Sequence, residues 1–238
     1  MERIKTGIHG LDDLIGGGMI KGSNVLVFGR AGSGKTLLAL EYLYKGASVF
    51  GQPGLFVSFD QSEEELLSQC ERMGWDMKKY VKKGMIKILC MKIEDIGRDF
   101  VIDVFEAAGK VKAERMVIDN LTLLTLSPFF MADNKKFNIV YKDKVRVANT
   151  PIQLIYNMIS ILKDIPTTNI YLTVPGTGQD VTNDGISEYV CDGVIHLDLR
   201  SIGKSFLRTL EVRKMRRSKV TGGIHGFKIT DNGIRVEQ

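Results

Sequence analysis

The chain has 238 residues, of which 44% are hydrophobic and 26% are charged, a composition close to that of an ordinary globular protein. It contains 33 Lys and Arg against 28 Asp and Glu, and this net charge of +5 allows a polyanionic partner without requiring one. No apolar stretch reaches the ~18 residues that a membrane-spanning helix needs, and the first residues lack the apolar core of a signal peptide. We therefore expect a soluble, cytoplasmic protein with a single domain over residues 1–238.

The three cysteines, Cys70, Cys90 and Cys191, are widely separated and lie near no cluster of histidines, so their spacing is not that of a zinc site. An odd number of isolated cysteines is typical of buried thiols in a reducing compartment. We expect all three side chains to be buried.

Short β-branched runs alternate with longer helical segments along the chain, which is the pattern of an α/β fold with a mostly parallel sheet. The predicted strands of this sheet are residues 24–28, 55–59, 116–119 and 169–174. Short strands separated by glycines predict an antiparallel extension near the C-terminus, at residues 193–199, 206–213 and 226–230. The expected fold class is a twisted, mostly parallel sheet flanked by helices, with this extension at one end.

Three helices are predicted between these strands. The first covers residues 37–43, most of which are good helix formers. The second begins after Ser62, which stands at capping-box spacing from Glu65, and should bury Leu66, Leu67 and Cys70. The third begins at Thr150-Pro151, because proline is favoured at the first helical position, and should bury Ile152, Ile155, Ile159 and Leu162.

The turn between the first strand and the first helix carries a phosphate-binding motif. Its sequence has the P-loop spacing of a glycine, four residues and Gly-Lys-Thr. Glycines allow successive backbone N–H groups to face a phosphate at a helix N-terminus, the lysine adds a charge near the γ-phosphate, and the threonine hydroxyl binds Mg²⁺. We predict a nucleotide site made by Gly29, Gly32, Ser33, Gly34, Lys35, Thr36 and Leu37.

Asp119 closes the apolar strand predicted at residues 116–119. A carboxylate at the end of a buried strand, in a chain that also carries a P-loop, fits the Walker B aspartate that holds Mg²⁺. We therefore predict that Thr36 and Asp119 bind the metal, with ATP and Mg²⁺ as the ligands of this site.

These motifs and several further blocks make the chain similar to the KaiC-like branch of the RecA/RadA superfamily over nearly its whole length. The blocks are residues 6–18, residues 53–59 with Gly74-Trp75-Asp76, residues 185–192 and residues 230–234. The resemblance implies a RecA-type ATPase core that assembles into a ring, commonly a hexamer, with ATP at the subunit interfaces. A protein-kinase role, known for double-domain KaiC proteins, is not expected for a single domain.

The resemblance also implies a catalytic base after the second strand, where KaiC-like proteins usually carry two adjacent glutamates. This chain has Asp60 and Gln61 there. Asp60 keeps a carboxylate but is one methylene shorter, and a base must lie within hydrogen-bond distance of the water that it activates. Gln61 can orient a water molecule without accepting its proton. We expect Asp60, Gln61 and Lys35 to be catalytic and hydrolysis to be slow; alternatively, Asp60 only begins the turn before Ser62.

A basic segment near the C-terminus carries the remaining residues that the resemblance implies. In the family, residues at the positions of Lys214, Met215 and Arg216 reach the nucleotide of the neighbouring subunit. Cations supplied across an interface stabilise charge on the γ-phosphate and make hydrolysis depend on assembly. The positions of Ser218, Thr230 and Asp231 contact the neighbour's nucleotide as well. Without this role, the segment would be an edge strand that its charges protect from aggregation.

Two loops bear on DNA binding, because the corresponding segments of RecA-type rings line the central channel. Residues 127–149 combine aromatic side chains with cations, as nonspecific single-strand binding does. These aromatic and basic residues are Phe129, Phe130, Phe137, Tyr141, Lys135, Lys136, Lys142, Lys144 and Arg146. The alternative is a partly ordered loop whose aromatic residues pack on the core. The second loop, residues 175–185, has only the acidic charges Asp180 and Asp184, which argues against strong DNA binding there.

Three functions are compatible with the sequence. The first is a ring-forming ATPase with slow turnover, and the second is a RecA/RadA paralogue that binds single-stranded DNA as an accessory of recombination or repair. The third is an ATP-binding regulatory switch with little or no turnover, which the short side chain of Asp60 favours. The expected partners are further copies of the chain in a ring, weakly bound single-stranded DNA and a protein that the sequence does not identify.

Overall fold

The computed structural model describes residues 1–96, 100–124, 137–141, 144–176, 182, 184–203 and 205–237. Its strands are β1 (Arg3–Ile4), β2 (Met19–Ile20), β3 (Asn24–Gly29), β4 (Gly54–Ser58), β5 (Ile86–Cys90), β6 (Arg115–Asp119), β7 (Phe137–Tyr141), β8 (Lys144–Ala148), β9 (Thr168–Thr173), β10 (Gly193–Ile202), β11 (Ser205–Met215), β12 (Ile224–Thr230) and β13 (Gly233–Val236). Its helices are α1 (Leu11–Leu14), α2 (Lys35–Val49), α3 (Glu63–Arg72), α4 (Met77–Lys82), α5 (Phe100–Val111), α6 (Leu121–Leu124), α7 (Pro151–Leu162) and α8 (Ser187–Val190), and a 3₁₀ turn covers Ile93–Asp95.

A nine-stranded sheet in the order β13-β12-β11-β10-β3-β9-β6-β4-β5 forms the centre of the protein. The strands from β10 to β5 are parallel, whereas β10, β11, β12 and β13 pair antiparallel. Because parallel strands end at the same edge, the segments that follow β3, β4, β6 and β9 meet along one edge of the sheet, where α/β proteins bind their ligands. The predicted α/β class and its antiparallel extension are confirmed.

Helices cover both faces of the parallel strands, and each face has its own hydrophobic core. On one face, α2, α3 and α4 pack on side chains such as Val25, Val27 and Val117. On the other, α5 and α7 pack on side chains such as Leu26 and Met116. Successive residues of each strand serve opposite faces, so these strands are continuous apolar runs rather than alternating ones.

The helix starts predicted after Ser62 and at Thr150-Pro151 are confirmed, the first helix begins at Lys35 rather than at residue 37, and two burial predictions are wrong. The Ser62 hydroxyl accepts the Glu65 N–H, and the Glu65 carboxylate accepts the Ser62 N–H, as a capping box requires. Ile152 was expected inside, but it lies in the first turn of α7 and is 51% exposed; burial along this helix begins at Leu154. Cys90 is also exposed, because it ends the edge strand β5.

The segment expected as a channel loop contains regular structure. Within residues 127–149, β7 and β8 form an antiparallel hairpin that includes Phe137, Tyr141, Lys144 and Arg146 in its strands. The remaining residues of the predicted DNA-binding set, Phe129, Phe130, Lys135, Lys136 and Lys142, lie outside the described residues, as does Asp180 of the second loop. No helix in the described part of the chain is long and apolar enough to span a bilayer.

Candidate nucleotide-binding site

The P-loop lies between β3 and α2, at the edge where the parallel strands end. Its backbone has left-handed dihedral angles at Gly32 and at Gly34, with φ of 77° and 103°, which residues with side chains rarely adopt. Gly29 is needed for a different reason, because a Cβ atom there would lie 2.1 Å from the carbonyl oxygen of Leu197 on β10. The loop can therefore fold tightly at the N-terminus of α2, where free N–H groups and the helix dipole favour a phosphate.

Lys35 is folded back onto this loop. Its ammonium group donates hydrogen bonds to the carbonyl oxygens of Gly29, at 2.7 Å, and Arg30, at 3.0 Å. Burial lowers the pKa of Lys35, and the nearby carboxylates of Asp119 and Asp60 oppose this shift. The two hydrogen-bond partners are neutral, so the charge of the lysine is available to an anion in the loop.

Thr36 and Asp119, which the sequence predicts at one metal ion, are in direct contact in the structure. The threonine hydroxyl donates a hydrogen bond of 2.7 Å to the aspartate Oδ2, although 83 positions separate the two residues. Asp119 is 3% exposed, and burial raises its pKa to about 6, while the hydrogen bond from Thr36 opposes the rise. A hydroxyl and a carboxylate oxygen are ligands that Mg²⁺ accepts.

An unpaired hydroxyl in the loop supports a phosphate ligand. The Oγ atom of Ser33 is buried and has no hydrogen-bond partner among the described residues. Leaving a buried polar group unpaired costs about 1–3 kcal/mol, and a phosphate oxygen would accept this bond. The P-loop residues therefore fit a phosphate, with Thr36 and Asp119 fitting its metal ion.

A cleft of about 400 Å³ joins the P-loop to the predicted base, since Asp60, Gln61, Asp119 and Asn120 line it together with residues 31, 32 and 34–37. Burial raises the pKa of Asp60, and a hydrogen bond from its own backbone N–H opposes the rise. Its carboxylate therefore binds a proton more readily than an exposed aspartate does.

Two side chains that were not predicted from the sequence fix Gln61. Its amide oxygen accepts a hydrogen bond of 2.6 Å from the side chain of Gln69, and its backbone N–H donates one of 3.1 Å to the Ser58 hydroxyl. Gln69 lies seven residues after the Ser62 cap, which is two turns along α3 and places it on the same side of the helix as the cap. This spacing from the helix cap is the sequence feature that indicates on which side of α3 Gln69 lies.

Lys214 and Arg216 lie toward the opposite edge of the sheet from their own P-loop. Lys214 of β11 pairs with Val194 of β10, which pairs with Leu26 of β3. Lys214 is therefore level with Leu26, three residues or about 10 Å before Gly29 along the direction of β3. The Lys214 ammonium group donates to the carbonyl oxygens of Glu188 and Cys191, and Arg216 donates to that of Tyr189. Within the described chain, these contacts turn both cations away from the P-loop of the same subunit.

The other predicted residues of this group are divided between the two edges. Met215 points into the core and is 7% exposed, while the hydroxyl of Ser218 accepts a hydrogen bond of 3.0 Å from Arg3. Thr230 and Asp231 lie at the turn after β12, on the same edge as their own P-loop. A Cβ atom on Gly34 would lie 3.6 Å from the side chain of Ile229, the residue before Thr230. The structure therefore separates Thr230 and Asp231 from Lys214 and Arg216.

Comparison with known proteins identifies a family for this chain. Residues 4–238 match the family model described as "ATPase: KaiC". The chain is 30% identical to the circadian clock oscillator protein KaiC of Synechococcus elongatus over 99% of this chain and 44% of that protein. It is 29% identical to a UPF0273 protein of Aeropyrum pernix over 99% of this chain and 94% of that protein. The chain thus spans less than half the length of the cyanobacterial clock proteins that it matches.

A solved structure supports the same relationship. The crystal structure of a KaiC-like protein from Pyrococcus horikoshii superposes with a TM-score of 0.82 at 30% identity, covering 100% of this chain and 99% of that one. The fold predicted from the resemblance is thereby confirmed. The chain belongs to the KaiC family of ATPases.

Proposed function

We propose that this chain binds ATP with Mg²⁺ in the P-loop cleft and hydrolyses it slowly, in a ring in which each site is completed by the neighbouring subunit. The contact between Thr36 and Asp119, beside a buried lysine and an unpaired serine hydroxyl, carries the proposal. It supports a site for both a phosphate and a metal ion, whereas a glycine-rich turn with no function has no need of a buried carboxylate there.

The chain's own residues would have three roles toward the γ-phosphate. Lys35 would exchange its carbonyl partners for phosphate oxygens, and Thr36 and Asp119 would hold the metal ion. When bound, Mg²⁺ supplies positive charge that neutralises the phosphates. Asp60 would accept a proton from water, for which its raised pKa is suited, and Gln61 would orient that water.

The cations of β11 are proposed to act on the neighbour's nucleotide. Lys214 and Arg216 cannot reach their own P-loop from the opposite edge of the sheet, so a role on a γ-phosphate requires a second subunit. A closed ring, with a hexamer as the size that the family resemblance implies, would give every P-loop such a neighbour. Thr230 and Asp231 would then contact the nucleotide of their own subunit.

A second candidate is an ATP-binding switch with little turnover. The observation that favours it is the bond between Gln61 and Gln69, because an amide oxygen held by another side chain is less free to orient water. Single-stranded DNA binding by the cations of residues 127–149 stays a prediction.

Two measurements test these alternatives. The first is ATPase activity with and without Mg²⁺ and with and without single-stranded DNA, and the second is the size of the protein in solution with ATP. We expect Mg²⁺-dependent release of phosphate from a ring-sized species. Binding of ATP with no phosphate release would instead favour the switch, and stimulation by DNA would favour the recombination accessory.

A further inference from the structure

The C-terminal end of the short helix α8 holds the two cations of β11. Lys214 Nζ lies 2.8 Å from the carbonyl oxygen of Glu188 and 2.7 Å from that of Cys191. Arg216 Nη2 lies 3.2 Å from the carbonyl oxygen of Tyr189. Carbonyl groups at a helix C-terminus lack partners within the helix and carry its negative dipole end, so they favour bound cations. The positions of Lys214 and Arg216 therefore depend on where α8 lies.

The position of α8 is set in turn by a group of side chains that we call the α8 clasp, made of Thr182, Asp184, Ser187 and Glu188. Asp184 Oδ1 accepts the backbone N–H groups of Ile186 and Ser187, at 2.9 and 2.7 Å, and Oδ2 accepts the Ser187 hydroxyl at 2.8 Å. Glu188 Oε1 accepts the N–H of Thr182 at 2.6 Å. A helix of four residues is too short to be stable alone, so it relies on these bonds.

Two further contacts tie the same region to the rest of the fold. Lys163, which follows α7, donates to the carbonyl oxygen of Val190 at 3.0 Å. Asp192 accepts the N–H of Asn24, the first residue of β3, at 3.1 Å, and its backbone carbonyl accepts the N–H of Arg216 at 2.8 Å. The cations are thus held between the α8 clasp on one side and the strand that leads to the P-loop on the other.

We infer that the α8 clasp is a positioning element, which fixes the carbonyl groups that hold Lys214 and Arg216 and so sets where these cations meet a neighbouring subunit. Burial and the adjacent Arg216 lower the pKa of Lys214, which is consistent with an ammonium group that needs its carbonyl partners. The catalytic part of this inference rests on the proposed function, whereas the holding of Lys214 by α8 does not.

Hydrogen exchange of the full chain without nucleotide tests the holding directly. The N–H groups of Tyr189 and Val190 donate to the carbonyl oxygen of Ile186, and that of Cys191 donates to the carbonyl oxygen of Ser187, so a peptide spanning residues 185–192 reports the opening of α8. Asp184→Ala and Lys214→Ala each remove more than one hydrogen bond, so each should speed exchange in this peptide by at least about fivefold, the effect of losing a single bond. Asp76→Ala is a matched control, because Asp76 caps α4 through the Lys79 N–H and should leave this peptide unchanged.

Turnover tests the catalytic consequence. Asp184→Ala should lower kcat by about tenfold while leaving ATP affinity unchanged, because small misplacements of a catalytic group are costly. In a protein that already carries Lys214→Ala, the Asp184→Ala change should lower kcat by less than it does in the wild type, since part of its effect acts through Lys214 and only the part through Arg216 is left. Ser187→Ala removes only one of the four bonds to the Asp184 carboxylate and should act in the same direction more weakly. This milder variant keeps the test usable if Asp184→Ala fails to fold.

The outcomes separate this inference from the proposed function. Unchanged exchange in the 185–192 peptide of Lys214→Ala would overturn the holding of Lys214 by α8, whatever the turnover. Faster exchange in Asp184→Ala with full kcat, while Lys214→Ala is inactive, would overturn the positioning role. Full turnover by Lys214→Ala would overturn the function proposed for the cations. The exchange data would still show whether α8 holds Lys214.

Discussion

Replacing Glu41 by Gln should change how the stability of the protein depends on pH. Glu41 lies on α2, is 2% exposed, and accepts the backbone N–H of Ile234 on β13 at 2.7 Å. Burial raises its pKa from 4.5 to about 7, and the bond from Ile234 and the charge of Lys45 oppose the rise. Glutamine keeps the acceptor for Ile234 but carries no charge, so the substitution isolates the effect of the buried carboxylate.

The sign follows from the raised pKa. A folded state with a higher pKa binds the proton more tightly than the unfolded chain does, so ionised Glu41 lowers the free energy of unfolding at high pH. With pKa values of 4.5 unfolded and about 7 folded, this penalty grows by about 2.5 kcal/mol between pH 5 and pH 8. The stability of Glu41→Gln relative to the wild type should rise by that amount over the same range.

Urea unfolding of both proteins at several pH values, without nucleotide, measures this difference. Glu106→Gln is the matched control, because Glu106 is an exposed residue of α5 and its side chain is 61% accessible. A constant stability difference between the wild type and Glu41→Gln from pH 5 to pH 8 would mean that burial does not destabilise the ionised carboxylate.

Two further predictions concern ligands. Lys35→Ala should weaken ATP–Mg²⁺ binding by at least about tenfold in calorimetry, because it removes charge-assisted bonds to phosphate. The control Lys110→Ala, on the exposed face of α5, should bind ATP–Mg²⁺ normally. Equal affinity of the Lys35→Ala and wild-type proteins would mean that the P-loop assignment is wrong. Single-stranded DNA should bind weakly and without sequence preference, and neutralising four lysines should flatten its salt dependence by up to about one unit per lost phosphate contact. These lysines are Lys135, Lys136, Lys142 and Lys144, and no retention of DNA by the wild type at low salt would remove this function.

The parts of the site that could be predicted are those encoded by local patterns. The P-loop is a contiguous motif, and Asp119 closes an apolar strand, so their chemistry can be seen without knowing the fold. The contact between Thr36 and Asp119 followed because parallel strands end at one edge of the sheet. The contact of Gln69 with Gln61 could not be predicted from a local pattern, because a polar residue on an amphipathic helix is usually solvated.

Features that depend on the pairing of distant strands were out of reach of the sequence. The register of β10 with β3 and β11 decides that Lys214 lies at one edge of the sheet and Thr230 at the other, although the resemblance grouped them together. The burial of Glu41 likewise depends on β13 crossing α2, which no local pattern indicates. Ile152 shows the limit of helical periodicity, since the spacing placed it on the buried face and the helix end exposed it.

Mixing two inactive variants tests whether neighbouring subunits share each site. Asp60→Asn keeps the shape of the side chain but removes the base, and Arg216→Ala removes a cation from the opposite side of the proposed interface; each should bind ATP and fail to hydrolyse it. Once subunit exchange has been verified by mass or fluorescence, the mixed assembly should recover part of the wild-type ATPase activity, because some interfaces then combine an intact Asp60 with an intact Arg216. A mixture that exchanges subunits and stays inactive would contradict the shared site and favour the ATP-binding switch.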